Sequence, residues 1–534
     1  MVSRIDPKDL DLKVKFGGGL HTRASEDEID AREAAAGENF LLDLENRELR
    51  SRGPFDLIGT VPNAAEIRGG GSLIKADGTV STLFQAGNKV YEWNGVTTFT
   101  EKATVSATAQ LRGHWRSHNW QLDTNKLLLT DLNLVDPVKE WDGTTFASVT
   151  FTDNSASGAA FGTFKAKYLS IANERAIFSH IQDPGSVNPH MIVGSLRGDY
   201  TVISNDDRPS SALSESDAFF LLTPDLRPIN GHVEAFGTTV LSTEGGQLFN
   251  LTGVSAKDFA FADFYPGSFA SGAESIAYIG NDIIYGRQGR IESVRDTARF
   301  GDREADDITR GIADQIAGFG GWRIVYNSRI NRVYLFPDDE SEVWVFNTAM
   351  LGREISPWMR WTTLHTIAFE PTFVMSMLDP ADGLEYVFMG DSGGKVYRLE
   401  GTGSLGDGGA YNIKTDWTTK LFSCPLDAQA YKISGYLKYR KNVAATVRLT
   451  FQYSGESAFD QDIEITLPAL SGVSYFGGDA WFGGDFYFGA PFSRLIRRKF
   501  DAAGQASELQ LRVRVTSPRD FAINEIGLRF EAAS

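Results

Sequence analysis

The sequence predicts an all-β protein in which a β-propeller of about six or seven blades is followed by a C-terminal antiparallel β-sandwich domain. Three observations predict this fold class. The chain contains 36 Phe, 17 Tyr, 10 Trp and 54 Gly among 534 residues, which favours sheets joined by tight turns. A turn-and-strand unit recurs along most of the chain. The last part of the chain instead alternates apolar and polar residues with period 2.

The recurring unit is a turn followed by a short strand with apolar residues on one face. It is clearest in GNKVYEWNG (87–95), PVKEWDGTTF (137–146), GGQLFNLTG (245–253) and GGKVYRLEG (393–401). The last large apolar residue marks each unit: Trp93, Trp141, Ile203, Leu251, Val294, Phe346 and Leu399. These markers lie 48, 62, 48, 43, 52 and 53 residues apart, near the period of roughly 40–50 residues that four-stranded blades give. The propeller is therefore predicted over residues 55–405.

One unit contains Gly390-Asp391-Ser392-Gly393-Gly394, the string that surrounds the nucleophile of chymotrypsin-like serine proteases. A protease would also need a histidine base and a buried aspartate in a two-barrel fold. Because the string stands where other units have a Gly-rich turn, we interpret Ser392 as a turn residue.

Residues 1–54 are expected to form an N-terminal arm that packs on the C-terminal domain. Ser25 and Glu28 have the spacing of a helix capping box and Gly37 ends the run, which predicts a short helix in the arm. A second helix is predicted at 308–319, where an Ile-rich apolar stripe has helical spacing and is expected to be core.

Residues 406–534 are predicted to form the sandwich, as a platform or docking domain. Segments such as DIEITLPAL, SELQLRVRVTS and FAINEIGLRFEA alternate with period 2 and are joined by polar turns. The boundary is predicted in the Gly-rich stretch at 400–411.

Charge is distributed unevenly along the chain. Residues 411–534 carry 15 basic and 13 acidic residues, whereas the first 410 residues carry 37 basic and 56 acidic ones, a balance of −19. A surface that negative repels phosphate and argues against a nucleic-acid binder driven by counterion release. A negative charge would also suit the wall of a channel through which DNA passes without binding.

The composition also excludes some classes of protein. The single cysteine, Cys424, excludes an intrachain disulfide and a cysteine-based metal site. The first residues, MVSRIDPKDLDLKVKF, lack the apolar region of a secretory signal. The sequence contains no run of about 18 apolar residues, the length that a transmembrane helix needs. We therefore expect no membrane insertion.

The remaining candidate sites have simpler structural explanations. His114 and His118 have the spacing of a helical metal pair, but their surroundings indicate a strand or loop. The acidic turns at 204–210, 300–307 and 336–341 match neither the EF-hand nor the RTX nonapeptide spacing, and we interpret them as solvated turns. We therefore predict no catalytic residue, no cofactor and no metal site, and expect that the protein is not an enzyme.

The most unusual stretch is YFGGDAWFGGDFYFGAPF (475–492), a hexad repeat of aromatic residues and glycines. The repeat is six residues long, an even number, so in an extended chain equivalent residues of successive repeats lie on the same face. The first aromatic of each repeat would lie on one face and the second on the opposite face. Two such faces suit an anchor for a neighbouring subunit, although a loop folded onto its own domain is the alternative. The candidate interface comprises Tyr475, Phe476, Trp481, Phe482, Tyr487, Phe488, Arg494, Arg497 and Arg498.

The order of these parts resembles a known family. A Gly-rich start (FGGGLHTRAS), the element GENFLLDLENRELRSRGPFDLIGT (37–60), a propeller and a closing sandwich with an aromatic-Gly loop are similar to the tail nozzle of short-tailed bacteriophages, also called tail tubular protein B or packaged-DNA stabilisation protein. The resemblance covers most of the chain in the order of its parts.

The resemblance implies a virion component assembled in the host bacterial cytoplasm. It would form a six-fold ring of copies below the portal and the adaptor (head-to-tail connector) protein, and would carry tail fibres or spikes. The ring would retain packaged DNA and form the acidic channel for its ejection. The alternatives are a propeller binding module for a receptor or glycan, and a propeller hydrolase or lyase whose site residues come from separate blades.

Overall fold

The computed structural model describes most of the chain. The described residues are 11–25, 28–43, 48–114, 125–154, 160–183, 186–204, 213–266, 270–280, 282–296, 303–338, 340–351, 355–362, 371–400, 411–423, 430–441, 444–453, 461–467, 496–505, 508–517 and 521–532. Nearly all regular structure in these ranges is β, as the composition predicts. No helix in them is long and apolar enough to span a membrane.

Five strands precede the first blade. They are β1 (Asp11–Val14), β2 (Ala36–Glu38), β3 (Phe40–Asp43), β4 (Glu48–Ser51) and β5 (Asp56–Thr60).

In the described residues the propeller has seven blades of four antiparallel strands each, and blades 1 and 2 are joined in one larger sheet. Blade 1 contains β6 (Ile67–Ile74), β7 (Val80–Ala86), β8 (Lys89–Trp93) and β9 (Phe99–Thr104). Blade 2 contains β10 (Leu111–His114), β11 (Leu127–Asp131), β12 (Lys139–Trp141) and β13 (Phe146–Ser148). Two short strands follow, β14 (Phe151–Asp153) and β15 (Ala160–Gly162).

Blade 3 contains β16 (Lys165–Ala172), β17 (Arg175–Gln182) and β18 (Val187–Gly194), then β20 (Phe219–Leu222); between the last two lies β19 (Val202–Ile203). Blade 4 contains β21 (Ile229–Ala235), β22 (Thr238–Thr243), β23 (Gln247–Thr252) and β24 (Ala260–Pro266). Blade 5 contains β25 (Ile276–Tyr278), β26 (Asp282–Arg287), β27 (Arg290–Asp296) and β28 (Arg303–Asp307).

Blade 6 follows a short helical segment, a 3-10 turn at Arg310–Ile312 and α1 (Ala313–Ile316). It contains β29 (Trp322–Asn327), β30 (Arg332–Pro337) and β31 (Glu342–Asn347), then a 3-10 turn at Thr348–Met350 and β32 (Trp358–Thr362). Blade 7 contains β33 (Phe373–Leu378), β34 (Glu385–Gly390) and β35 (Lys395–Arg398).

The ring is closed by a strand from the start of the chain. β5 pairs antiparallel with β35 and so becomes the fourth strand of blade 7. An ion pair fixes this closure, because the Arg398 guanidinium lies 3.3 Å from the Asp56 carboxylate and 2.5 Å from Asp379. The two ends of the propeller sequence are thereby held in one sheet.

The turns between the third and fourth strands of blades 1 and 2 follow from their sequence. In blade 1, the Asn94 side chain accepts backbone N–H groups of Val96, Thr97 and Thr98 at 2.9–3.1 Å. Asp142 does the same for Thr144 and Thr145 in blade 2. Each turn has its glycine at positive φ, 82° and 92°, a conformation that other residues adopt at a cost.

Blades 1 and 2 are joined more closely than the other blades, because their first strands pair in parallel at Arg112 and Gly70 and make one eight-stranded sheet. The glycine run in β6 permits this contact. A Cβ at Gly69 would lie 2.2 Å from the Leu111 carbonyl oxygen, and one at Gly71 would lie 2.9 Å from the Cα of Gly113.

The sandwich consists of two six-stranded sheets, and the arm supplies strands to both. Its later strands are β36 (Ile413–Thr418), β37 (Phe422–Ser423), β38 (Ala430–Lys441), β39 (Ala445–Tyr453), β40 (Gln461–Leu467), β41 (Ile496–Gln505), β42 (Glu508–Ser517) and β43 (Phe521–Ala532). One sheet has the order β3-β4-β43-β38-β41, with β1 also on β43; the other has β2-β36-β42-β39-β40, with β37 on β42.

The hydrophobic core is divided by blade interface. Separate clusters lie between blades 1 and 2, 2 and 3, 3 and 4, 4 and 5, and 7 and 1. The two interfaces of blade 6 differ, since their apolar residues form one cluster with the arm and the sandwich. Propeller and sandwich therefore share a core at this point.

Asn39 and Arg52 lie at the centre of this junction. The Arg52 Nε donates to Asn39 Oδ1 at 2.8 Å, and its guanidinium stacks over Phe55 at 4.0 Å. The Asn39 amide group donates to Thr362 Oγ1 of blade 6 at 2.8 Å and to the Lys414 carbonyl of the sandwich at 3.2 Å. One side chain thus links the arm, the propeller and the sandwich.

Three sequence expectations need correction. Ile203 does not mark a blade, because β19 leaves blade 3 and pairs with β14, and the third strand of that blade is β18. The short helix expected in the arm is wrong: described residues 28–35 form turns and an isolated bridge, and β2 pairs with β36 instead. The helix expected at 308–319 is reduced to one turn, although Ile312 and Ile316 are fully buried.

Candidate docking face and central cavity

The outer face of the sheet formed by β1, β38, β41 and β43 is basic. Residues directly opposite each other on paired strands share a face. One row across this sheet is Lys499, Tyr436, Gly527 and Lys13. The neighbouring rows add Arg497, Lys438 and Glu525 on one side, and Asp501, Ser434 and Arg529 on the other. We call this surface the docking face.

Tyr436 lies at the centre of the docking face. A Cβ on the opposing Gly527 would lie 2.4 Å from the Tyr436 ring, so only glycine leaves room for the ring to lie across the sheet. The Arg497 guanidinium stacks over the same ring at 3.8 Å. A depression of about 300 Å³ lies beside this stack, lined also by Lys13, Lys499 and other residues of the face.

The acidic residue nearest this centre is already engaged. Glu525 accepts hydrogen bonds from the Tyr436 hydroxyl at 2.5 Å and the Lys438 ammonium at 2.8 Å. Burial disfavours its ionised form, but these bonds outweigh burial and lower the pKa of Glu525. Arg497, Lys499 and Lys13 remain exposed, and the face keeps an excess of positive charge.

One of the residues predicted as an interface, the exposed Arg497, lies on the docking face. Arg498 is also exposed, but it is opposite Leu437 on the other face of the sheet. Tyr475, Phe476, Trp481, Phe482, Tyr487, Phe488 and Arg494 lie outside the described residues. The interface therefore stays a prediction. Sequence reasoning missed Lys13, Tyr436 and Arg529, which come together only because strands from both ends of the chain pair.

The other candidates from the sequence occupy structural positions. Ser392 lies in the turn between β34 and β35, where the Asp391 carboxylate accepts N–H groups of Gly393 and Lys395 at 2.9 and 2.8 Å. His114 ends β10, and His118 lies outside the described residues. Within the described ranges, no three His, Cys, Asp or Glu side chains are grouped closely enough to hold a metal ion.

The axis of the propeller contains a cavity of about 500 Å³. The first strands of blades 2 to 7 and the segments beside them line it. Its charged lining residues are Arg112, Lys167, Glu234, Glu274 and Arg323. Most of its wall is apolar, formed by side chains such as Leu169, Val233, Phe236, Ile276 and Met375.

Glu274 is shared by two of these cations. Its carboxylate lies 2.5 Å from Arg112 Nε and 3.6 Å from Arg323 Nε. Burial raises the pKa of Glu274, but the charge and hydrogen bond of Arg112 more than offset this and leave the pKa lowered. The Glu274 carboxylate is thus held ionised between two guanidinium groups.

Comparisons with known proteins give only weak similarities to solved structures. No protein-family model matches the chain, and no curated protein matches it. Among solved structures it is similar to the WD40 domain of Toxoplasma gondii coronin, with TM-score 0.38 and 9% identity over 68% of this chain and 87% of that one. It is also similar to the N-terminal domain of Nup159, with TM-score 0.36 and 10% identity over 72% and 99%. A designed protein, Ika8, gives TM-score 0.35 and 9% identity over 64% and 99%. Likenesses this weak carry no argument about function.

Proposed function

We propose that this chain is a structural subunit of the tail nozzle of short-tailed bacteriophages. Copies of it would form a six-fold ring in the virion tail, below the adaptor, retain packaged DNA and enclose the path of genome ejection. The observation that carries the proposal is the mounting of an acidic propeller on a basic-faced sandwich through one shared core. Such a subunit holds its two parts in fixed relation, as a ring that bears load requires.

The charge distribution supports a division of labour between the two parts. The first 410 residues carry a balance of −19, which would keep DNA phosphates from adhering to the channel wall. The docking face carries the opposite sign and suits an acidic partner. That partner would be a neighbouring copy, the adaptor, or the fibres and spikes. The aromatic hexad at 475–489 directly precedes β41 of this face in sequence.

The proposal places the DNA between copies of the chain and not inside one propeller. A cavity of about 500 Å³ has the size of a small-molecule site and cannot admit a double helix. The propellers of several copies would therefore surround the channel with their outer surfaces.

The test is quantitative mass spectrometry of purified virions of the phage that encodes this chain, with the portal as internal reference. We expect about half the copy number of the portal, as a six-fold ring below a twelve-fold portal gives. A clearly different ratio favours a receptor- or glycan-binding tail protein. Absence from virions rules out the tail proposal.

A charge-reversed variant adds a second measurement. Changing both Arg497 and Lys499 to Glu should leave the chain folded but reduce its incorporation into virions, because the docking face would repel an acidic partner. Lys414→Glu is the matched control, since Lys414 is equally exposed on the other sheet of the sandwich. Equal incorporation of both variants would exclude this face as the attachment surface.

A further inference from the structure

We infer that the axial cavity of the propeller is a binding site for a small organic anion, with a carboxylate bound near Lys167 and an apolar body against the cavity wall. This inference is independent of the proposed role in a tail. It depends on the volume, the charge and the lining of the cavity.

The size of the cavity fits a ligand. Its volume of about 500 Å³ lies within the range of roughly 300–1,000 Å³ typical of small-molecule sites. Its position on the axis brings together residues from six blades, and a ligand there would contact several blades at once. Sites of this kind combine an apolar wall with a few polar groups that fix orientation.

The charge of the cavity favours an anion. Three cations, Arg112, Lys167 and Arg323, face two carboxylates, Glu234 and Glu274. Glu274 is bound by Arg112 and lies near Arg323, so that carboxylate is not available to a ligand cation. The lining itself has one more cation than carboxylates, and Arg323 is further paired with Asp338 outside the lining at 3.8 Å, so Lys167 is the cation left to meet a ligand.

Lys167 is the group that recognises the anion. Among the described residues, its ammonium has no side-chain hydrogen bond and no carboxylate within ion-pair distance, although the residue is half-buried. Burial lowers the pKa of Lys167, and the more distant carboxylates Glu244 and Asp131 only partly offset this effect. Asp131 is itself saturated by four backbone N–H groups. A bound carboxylate would give Lys167 the partner that the protein does not.

The apolar wall selects the rest of the ligand. Side chains such as Leu169, Val233 and Ile324 make the larger part of the cavity wall apolar. A hydrated inorganic anion would lose solvation against this wall, whereas an aromatic or aliphatic body gains from burial there. The site therefore fits a monocarboxylate with an apolar body better than phosphate.

The test is isothermal titration calorimetry of the full chain with benzoate, with neutral benzamide and inorganic phosphate as comparison probes at constant ionic strength. We expect benzoate to bind more tightly than either. Lys167→Met should weaken benzoate about tenfold or more, the usual loss for a charged hydrogen-bond partner. Lys165→Met, two residues earlier on β16 and outside the cavity lining, should have no effect.

A further variant tests the contribution of the cavity volume without changing any charge. Ala273→Leu fills part of the cavity and should also weaken benzoate. Circular dichroism confirms that each variant is folded. The inference is overturned if benzoate gives no binding at millimolar concentration, if benzamide binds equally well, or if Lys167→Met binds as tightly as the wild-type chain.

Discussion

The two interfaces of blade 6 differ from the five other blade interfaces in how their apolar side chains are packed. Elsewhere in the ring, each interface has its own cluster of apolar side chains, confined to neighbouring blades and the strands inserted beside them. At blade 6 the cluster continues into the arm and both sheets of the sandwich. The comparison teaches that the propeller is mounted through blade 6 and the faces of blades 5 and 7 that pack on it, while blades 1 to 4 pack only against their neighbours.

Two buried tryptophans provide the strongest test of this difference. Trp361 donates its Nε1–H to the Phe40 carbonyl of the arm at 2.8 Å, and Trp141 donates to Ser81 of blade 1 at 2.9 Å. Both are fully buried, and replacing either with Ala should cost about 3–5 kcal/mol of the free energy of unfolding. Hydrogen exchange should show faster opening of the arm and sandwich in Trp361→Ala, but only of blades 1 and 2 in Trp141→Ala. Identical exchange patterns would remove the distinction.

Asn39 tests the polar part of the same junction. Asn39→Ala removes its bonds to Thr362, Lys414 and Arg52, and also places alanine at φ 56°. We expect a loss of about 2–4 kcal/mol in urea unfolding. Asn39→Gly is the control, because glycine accepts this φ and loses only the side-chain bonds. If both variants were as stable as the wild-type chain, the junction would not depend on this residue.

His180 gives a smaller, local effect at the interface of blades 3 and 4. Its Nδ1 lies 2.8 Å from the Ile229 carbonyl oxygen. Burial lowers the pKa of His180 to about 4, from 6.5. Between these values the unfolded chain binds a proton that the folded chain does not, so stability should fall as the pH drops from 6.5 towards 4.

The control for this pH effect is His180→Asn, since Asn tolerates the φ of 51° at this position. Chemical unfolding at pH 7 and pH 5 should show a smaller loss of stability in the variant than in the wild-type chain. An equal loss would mean that other groups account for the acid sensitivity.

Much of the propeller could be predicted from local sequence. Trp93 and Trp141 stand in third strands because an Asx-Gly turn follows each directly, and that turn is a local signal. Ile203 was wrongly taken as a blade marker because it is apolar and buried like a residue of a blade strand, and only the pairing of β19 with β14 shows otherwise. The helical pattern in the arm was overridden by pairing of β2 with β36, which is nearly 400 residues away in sequence.

The candidate sites were harder to predict, for a physical reason. Arg497 was found because basic residues cluster locally in SRLIRRKF. Tyr436 and Lys13 join it only through strand pairing across the whole chain. The cavity residues Lys167 and Arg323 come from different blades and form no motif. Surfaces built from strands and blades that are distant in sequence leave no short pattern in it.

The most direct test of the shared core is native-state hydrogen exchange of the wild-type chain under increasing denaturant. The account predicts that β3 and β4 of the arm, β32 of blade 6 and β36 of the sandwich open with one common free energy, because each contributes side chains to the shared core. Blades 1 to 4 should open separately from this unit. If the arm strands instead opened at a lower free energy while β32 stayed protected, the propeller and the sandwich would be independent bodies and the central claim would be wrong.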